Sequence, residues 1–226
     1  TRRSSDLRMS TRSSAIHGLG ALLASAWLAG AAPVRAQGVP SPANSTAPQT
    51  IALVGATAGV PAQGPGAFEV VIRDLANNPL PGVTVTVDLS NATEMHLCAD
   101  VTDPDAVTDC VHSRVSKRTD AAGRVRFTLL GGSDGAPASR IARNAGRIDW
   151  NGTLVAMPNV VAYDLDGANG VGINDLSIWL QDFGSALNPA RGDYDGSGAV
   201  GVNDLSMWLS VFGSGSCLES CGARCP

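Results

Sequence analysis

The alternation of apolar and polar residues along the middle of the chain predicts β-strands. From Val83 to Leu89, Val and Leu occupy one side and Thr and Asp the other, which is the period of a half-buried strand. Runs of similar character, separated by turn residues, lie at 50–56, 68–74, 113–118, 124–130 and 147–156. No convincing helical period interrupts them. The pattern over residues 49–160 therefore predicts an antiparallel β-sandwich.

Beyond residue 160 the apolar residues change to a helical period. The spacing i, i+3, i+4, i+7 occurs twice, at Leu176, Trp179, Leu180 and Phe183 and again at Leu205, Trp208, Leu209 and Phe212. Each series predicts an amphipathic helix whose apolar residues form one buried stripe. On such a stripe the two Trp side chains are predicted to pack in a core rather than to bind a ligand. Gly184 and Gly213 are predicted to end the helices.

Each predicted helix follows a loop rich in carboxylates, and the two loop–helix units are a duplication. The copies begin at Asp164 and Asp193, an offset of 29 residues (193 − 164). A calcium loop supplies oxygen ligands from positions 1, 3, 5, 7 and 12 and turns sharply at position 6. In the second copy these ligands are Asp193, Asp195, Ser197, the carbonyl of Ala199 and Asp204, with Gly198 at the turn. The second copy therefore predicts a complete calcium site.

The first copy fills the same positions less well. Its ligands are Asp164, Asp166, the carbonyl of Gly170 and Asp175. Position 5 is Ala168, which has no side-chain oxygen, and position 6 is Asn169, the next best residue after Gly for a left-handed turn. The sequence thus predicts two calcium sites, of which the first is the weaker.

A duplicated loop–helix unit with Asp at position 12 and no entering helix resembles the type I dockerin module, here over residues 161–214. The resemblance implies a small α-helical, EF-hand-like module that docks onto a cohesin-like or other surface protein receptor. It also implies that loop positions 10 and 11 help to choose the receptor. Those positions are Ile173, Asn174, Val202 and Asn203. The chain departs from the usual Ser-Thr pair of the family, but its two copies are nearly alike, so docking through either copy is expected.

Part of the predicted sandwich resembles the bacterial immunoglobulin-like domains of invasin type. The stretch from Phe68 to Ser90 combines a strand, an Asn-Asn-Pro turn and alternating Val and Thr, and 119–127 matches a later strand pair of that family. The resemblance implies an immunoglobulin-like fold for residues 49–160 and a surface-exposed scaffold or spacer. It implies no active site.

The N-terminal 36 residues have the pattern of a signal peptide. Met9 is predicted as the start, Arg12 supplies a positive region, an apolar stretch runs from Ala15 to Ala32, and 34–36 form a cleavage-like site. The alternative is a membrane anchor, but the stretch is short and rich in Ala and Gly, and no later segment is apolar enough to span a membrane. Residues 37–48 have the composition of a linker. We therefore expect a secreted or extracellular protein, or one attached to the cell surface.

The charge of the chain excludes one class of partner. Without residues 1–36 there remain 11 basic and 19 acidic residues, a net charge of −8. The acidic residues are concentrated after residue 160, where only Arg191 and Arg224 oppose them. Nucleic acid is therefore not expected as a partner, since phosphate contacts require the opposite sign. Bound cations would neutralise such a module.

All five cysteines lie in the exported part, where disulfides are permitted. Cys98 and Cys110 flank a polar loop and are predicted to form a local bridge. Cys217, Cys221 and Cys225 lie in a Cys-rich tail, residues 215–226. Three thiolates could hold zinc only incompletely. One bridge and one leftover thiol is the preferred interpretation of these three, and their pairing stays open.

Catalytic and adhesive motifs lack supporting context in the sequence. Residues 131–135 spell G-x-S-x-G, the nucleophile elbow of hydrolases, with Ser133 as the nucleophile. That motif needs a strand-to-helix turn in an α/β sheet, so a turn between strands is the better interpretation. The adhesion tripeptide 191–193 uses Asp193, which is already predicted as a calcium ligand. The chain is predicted not to be an enzyme.

These patterns predict a secreted, non-catalytic modular protein. Its predicted action is calcium-dependent docking or cell-surface display through the dockerin-like repeat, with the sandwich as spacer or binding scaffold. Two alternatives stay open. One is an accessory, non-catalytic part of an extracellular polysaccharide-degrading system, and the other is an adhesin whose calcium sites are purely structural.

Overall fold

The computed structural model describes residues 38–57, 60–99, 103, 105–133, 143–183, 191–215 and 217, so the predicted signal peptide lies outside the described residues. The strands are β1 (Thr50–Leu53), β2 (Ala56–Thr57), β3 (Val60–Pro61), β4 (Ala67–Val71), β5 (Thr84–Asp88), β6 (Met95–Leu97), β7 (Val107–Asp109), β8 (Arg114–Arg118), β9 (Arg124–Thr128), β10 (Gly131–Ser133), β11 (Arg147–Trp150), β12 (Thr153–Ala156) and β13 (Asn159–Ala162). The helices are α1 (Gln63–Gly66), α2 (Ile173–Asp182) and α3 (Val202–Ser210), with a 3₁₀ turn at Cys110–His112. None of the described helices is long and apolar enough to cross a membrane.

The largest sheet is antiparallel and has the strand order β12-β11-β5-β8-β7. In its central strand β5, Val85 and Val87 are fully buried, whereas Thr84 and Thr86 are only half-buried. The alternation of β-branched residues therefore produces a strand with one face in the core, as the sequence pattern predicts. The described residues thus form a β-rich protein with few helices.

Shorter sheets cover the apolar face of the five-stranded sheet. Strands β4 and β9 are antiparallel, β1 and β13 are parallel, and β6 pairs with β10. The core between these strands includes Ile51, Leu53, Val70, Val85, Val87, Val115, Phe127, Ile148, Val160 and Ala162. Residues of the predicted linker also join the sheet, since Pro40 and Thr46 form β-bridges with Asp74 and Val71.

Two predicted segments differ in detail from the structure. The run predicted at 147–156 is a hairpin of β11 and β12, because Asn151 and Gly152 take φ values of 43° and 82° and turn the chain. The G-x-S-x-G segment, predicted as a turn, contains strand β10, which pairs antiparallel with β6. A glycine-rich strand has no side-chain alternation from which it could be predicted.

Helices α2 and α3 share a second core with the strands. Trp179 and Trp208 are fully buried there with Val54, Leu130 and Val161 of the β-rich part. Across this core the rings of Tyr163 and Tyr194 stack with centroids 4.2 Å apart. The indole N–H of Trp208 donates a hydrogen bond to the carbonyl of Tyr163 at 3.2 Å. The predicted domains 49–160 and 161–214 are therefore in direct contact through buried side chains.

The prediction of one buried apolar stripe on each helix is wrong. The Trp is fully buried and the first Leu half-buried, but Leu180, Phe183, Leu209 and Phe212 are 45–55 % exposed. Each helix has nine or ten residues and packs on one side only, so the buried sector is narrower than the apolar stripe. Helix α3 ends at Ser210, before the predicted stop at Gly213, and Gly184 lies outside the described residues.

The predicted bridge between Cys98 and Cys110 is wrong. Cys98 forms a disulfide with Cys217, 119 residues further along the chain, with their Cα atoms 5.5 Å apart. Tertiary pairing brings the two together, because Ala56 and Gly215 exchange backbone hydrogen bonds of 2.8 Å in each direction. The expected bridge within the C-terminal trio is also not formed by Cys217. Cys110 is itself disulfide-bonded, whereas Cys221 and Cys225 lie outside the described residues.

Candidate metal centres

The carboxylates that the duplication placed at loop positions 1, 3 and 12 meet in space. Oxygen atoms of Asp164, Asp166 and Asp175 lie within 4.8 Å of one another, and so do those of Asp193, Asp195 and Asp204. In each triad the position-1 and position-12 side chains are buried, and the position-3 side chain is more exposed. Each loop thus gathers three oxygen donors around one point, although they come from residues eleven positions apart.

The position-12 carboxylate organises each loop. Asp204 accepts the amides of Tyr194 at 2.7 Å and Asp195 at 3.1 Å on Oδ1, and that of Gly201 at 2.8 Å on Oδ2. Asp204 is the third residue of α3, so it also satisfies an amide at the helix start. These bonds draw the start of the loop back onto the helix N-terminus.

The first loop repeats this arrangement with its own residues. Asp175, the third residue of α2, accepts amides of Leu165 at 2.6 Å, Asp166 at 2.9 Å and Gly172 at 2.7 Å. The amide of Ala168 donates to Asp166 Oδ1 at 2.8 Å, just as that of Ser197 donates to Asp195 Oδ1 at 2.9 Å. The two loops therefore have the same internal hydrogen bonds at equivalent positions.

The loops differ at position 5, which is Ser197 in the second loop and Ala168 in the first. In the second loop Asp193 accepts the amides of Ser197 at 2.9 Å and Gly198 at 2.8 Å. The Ser197 hydroxyl lies 3.1 Å from the carbonyl of Ala199, so the position-5 and position-7 oxygens are adjacent. Ala168 offers no such hydroxyl in the first loop. The second loop therefore presents more oxygen donors than the first.

Burial makes the anionic form of these carboxylates costly. Desolvation raises the pKa of Asp175 and of Asp193 above the ordinary value for Asp, although backbone amides partly oppose the shift. At the exposed rim, hydrogen bonding from Ser197 lowers the pKa of Asp195. A cation between the carboxylates would remove this cost, because opposite charge favours the ionised form.

A buried ion pair lies directly before the second loop in the chain. Arg191 Nε lies 2.6 Å from Oδ2 of Asp182, at the end of α2, and both side chains are buried. Arg191 and Asp193 of the adhesion tripeptide are thus both buried in the fold. The tripeptide is not displayed to a receptor.

The residues predicted to bind a partner lie on the surface. Ile173 is 66 % exposed and Val202 is 72 % exposed, and Asn174 and Asn203 beside them are also exposed. Each apolar residue begins a row at i, i+7 and i+10 that runs along its helix to a Phe just beyond the helix end. We call these the helix rows. Row 1 is Ile173, Leu180 and Phe183, and row 2 is Val202, Leu209 and Phe212. The last two members of each row were predicted to be buried, so sequence reasoning missed them as surface residues.

Ser133 of the G-x-S-x-G motif lies in a strand and is buried. Its amide donates a hydrogen bond to the carbonyl of Asp164 at 2.9 Å. A nucleophile elbow exposes its Ser at a strand-to-helix turn. The first three residues of the motif form strand β10, which is hydrogen-bonded to the first acidic loop.

The described residues define a β-rich protein that carries two acidic loop–helix units. Comparison with protein-family models and with curated proteins gave no match. Each acidic triad could hold a metal ion, since three carboxylate oxygens within 4.8 Å are donors that hard cations prefer.

Proposed function

We propose that residues 161–214 form a dockerin-like calcium module that docks the protein onto a receptor protein outside the cell. The β-rich part, an immunoglobulin-like sandwich in this proposal, serves as its scaffold, and the protein is not an enzyme. The observation that carries the proposal is the repetition of one arrangement: an acidic triad closed by the third residue of a helix, followed by an exposed apolar row. The bond between Cys98 and Cys217 supports an oxidising, extracellular location.

Calcium fits the donor set better than other common metals. The two triads contain carboxylates and no His or Cys, whereas zinc and copper favour nitrogen and sulfur ligands. Twelve-residue loops with ligands at positions 1, 3, 5, 7 and 12 suit the larger coordination number of calcium, and magnesium requires a stricter octahedron. The residues present therefore fit two calcium ions, with the second loop the better provided.

The difference between the loops can be tested at position 5. Replacing Ala168 by Asp adds a carboxylate beside the first triad and is expected to tighten calcium binding at that loop by about tenfold, because ligand charge tunes affinity in such loops. Isothermal titration calorimetry measures the change. Asn169→Asp is the matched control, since it adds the same charge at position 6, which supplies no ligand. Equal effects of the two variants would show that charge alone, rather than coordination, changes the affinity.

The helix rows are the proposed docking surface. Rows 1 and 2 have a β-branched residue, Leu and Phe at the same spacing, and both are exposed beside the buried Trp of their helix. Exposed apolar side chains gathered along one helix are typical of protein-binding surfaces. Because the rows are nearly equivalent, a receptor can bind either one.

Two equivalent rows predict an unusual response to mutation. Ile173→Asp or Val202→Asp alone is expected to weaken binding only about twofold, since one intact row remains available. Both substitutions together should weaken it by at least about a hundredfold, because each receptor contact would bury an unpaired charge. Binding of the calcium-loaded protein to purified cohesin domains, with chelator as a second condition, measures this. Leu75→Asp, an exposed apolar residue outside the repeat, is the control.

The same experiment separates docking from the alternative functions. Calcium-dependent folding without binding to any receptor, and without an effect of the double variant, would favour calcium sites that serve only the stability of an adhesin. Binding that survives both row substitutions would place the docking surface elsewhere. Full loss of binding with one substitution would contradict the equivalence of the rows.

A further inference from the structure

The first acidic loop lies against strand β10 of the β-rich part. A Cβ atom added to Gly132 would lie 3.2 Å from Oδ2 of Asp164 and 3.2 Å from Cε1 of His96. His96 is the residue paired with Gly132 in the β6–β10 ladder. Both side chains are buried. The position-1 carboxylate of the loop and the imidazole of His96 therefore both lie beside Gly132, where the lack of a side chain leaves room for them.

The main chain of Asp164 is held by the same strand. The amide of Ser133 donates to the carbonyl of Asp164 at 2.9 Å. Strand β10 thus holds the backbone of this residue and lies beside its side chain. Strand β10 is itself held by pairing with β6 and by Val54, whose carbonyl accepts the amide of Gly131 at 3.1 Å.

The second loop supports its position-1 residue from within. The carboxylate of Asp193 accepts amides of Ser197 and Gly198, both of the same loop. The residue before it, Gly192, faces Trp179 of the other helix, whose Nε1 would lie 2.9 Å from an added Cβ. The first loop thus places its position-1 residue against strand β10, whereas the second places the residue before its position 1 against Trp179.

We propose that Gly132 and His96 are positioning residues for the first calcium site, which is therefore completed by the β-rich part of the protein. The proposal rests on the calcium function proposed above. Groups that orient a metal ligand from outside the coordination sphere change metal affinity strongly when they are moved. Strand β10 thus positions Asp164 in the first loop, whose position 5, Ala168, supplies no side-chain ligand.

The test is a calcium titration of the full chain carrying Gly132→Ala, followed by amide NMR. The added methyl group must displace Asp164 or His96 by a few tenths of an ångström. The amides of Ala168 and Ser197 report the two loops separately, because each donates to its own position-3 carboxylate. We expect the titration midpoint of the Ala168 amide signal to shift to about tenfold higher calcium and that of the Ser197 amide to stay unchanged. Gly132→Val should shift the midpoint of the Ala168 amide further, and His96→Ala should shift it in the same direction.

Gly64→Ala is the matched control, since an added Cβ there meets no atom within 4 Å. If Gly132→Ala leaves the calcium titration of the Ala168 amide unchanged, the positioning role is overturned. Equal weakening of both loops would also overturn it, because a general loss of stability would then be the cause. If neither amide responds to calcium in the unmodified protein, the calcium function itself fails, which is a different outcome.

Discussion

Removing calcium is expected to lower the free energy of unfolding of this protein by about 5 kcal/mol. A ligand that binds only the folded state stabilises it by about 2.7 kcal/mol at a free concentration a hundredfold above its Kd, and two loops contribute about twice that amount. Buried carboxylates of the two loops account for this loss of stability. Burial raises the pKa of Asp175 and Asp193, so without a cation the loops hold poorly solvated carboxylates close together.

Thermal unfolding followed by circular dichroism measures this effect. For a chain of this size the loss corresponds to a fall in Tm of about 10–20 °C between calcium and chelator. A variant carrying Asp193→Asn with Asp204→Asn should retain only the response of the first loop, and magnesium should replace calcium poorly in the unmodified protein. Identical melting curves with calcium and chelator would contradict the assignment of the loops to calcium.

The core that helices α2 and α3 share with the strands couples calcium binding to the stability of the strands. Tyr163 follows β13 directly and precedes Asp164, and it contacts Tyr194 of the second loop and Trp208 of α3. Loss of either loop's structure would therefore expose side chains that also cover the strands. For this reason we expect one cooperative unfolding transition for the strands and the repeat together, in calcium and in chelator.

The sequence predicted those features whose causes are local. The alternation from Val83 to Leu89 indicated a half-buried strand, and β5 has that form because the period of side-chain burial is a property of the strand itself. The hairpin turn at Asn151 and Gly152 was missed, although both residues favour the positive φ that divides the run into β11 and β12. The signal for this turn is therefore local and lies in the dipeptide itself.

The carboxylate triads were also accessible from the sequence. A loop of fixed length closes on itself through the Asp at the third helical position, so spacing alone brings positions 1, 3 and 12 together. Their occupancy by calcium stays a prediction. The missing side-chain ligand at Ala168 is visible in the sequence, and the lower affinity expected of the first loop stays a prediction. The closeness of Asp164 to Gly132 could not be predicted, since no local pattern links residues so far apart.

Long-range contacts account for the predictions that were wrong. Cys98 has Cys110 nearby in sequence, yet its partner is Cys217, brought close by the pairing of Ala56 with Gly215. The apolar period of the helices does not reveal how much of each stripe the strands can cover, so the exposure of Phe183 and Phe212 could not be deduced. In both cases the deciding neighbours lie on other elements.

The disulfide between Cys98 and Cys217 is expected to contribute about 4 kcal/mol to stability. The bond closes a loop across 119 residues of sequence, and cross-links over such lengths restrict the unfolded chain strongly. The double variant Cys98→Ala with Cys217→Ala removes the bond and leaves neither of its cysteines as a free thiol. We expect its Tm to fall by about 8–16 °C in calcium, because a loss of 1 kcal/mol lowers Tm by about 2–4 °C in a chain of this length.

Calcium binding distinguishes an effect on the unfolded chain from damage to the fold. If the bond acts by restricting the unfolded state, the double variant should bind calcium at both loops with unchanged affinity under conditions where it is fully folded. The single variant Cys98→Ala is the control, since it breaks the same bond and should lose the same stability within a few tenths of a kcal/mol. A loss below about 1 kcal/mol in both variants would show that the cross-link adds no such restriction. A separate low-temperature transition in either variant would show that the repeat depends on the bond to stay packed against the strands.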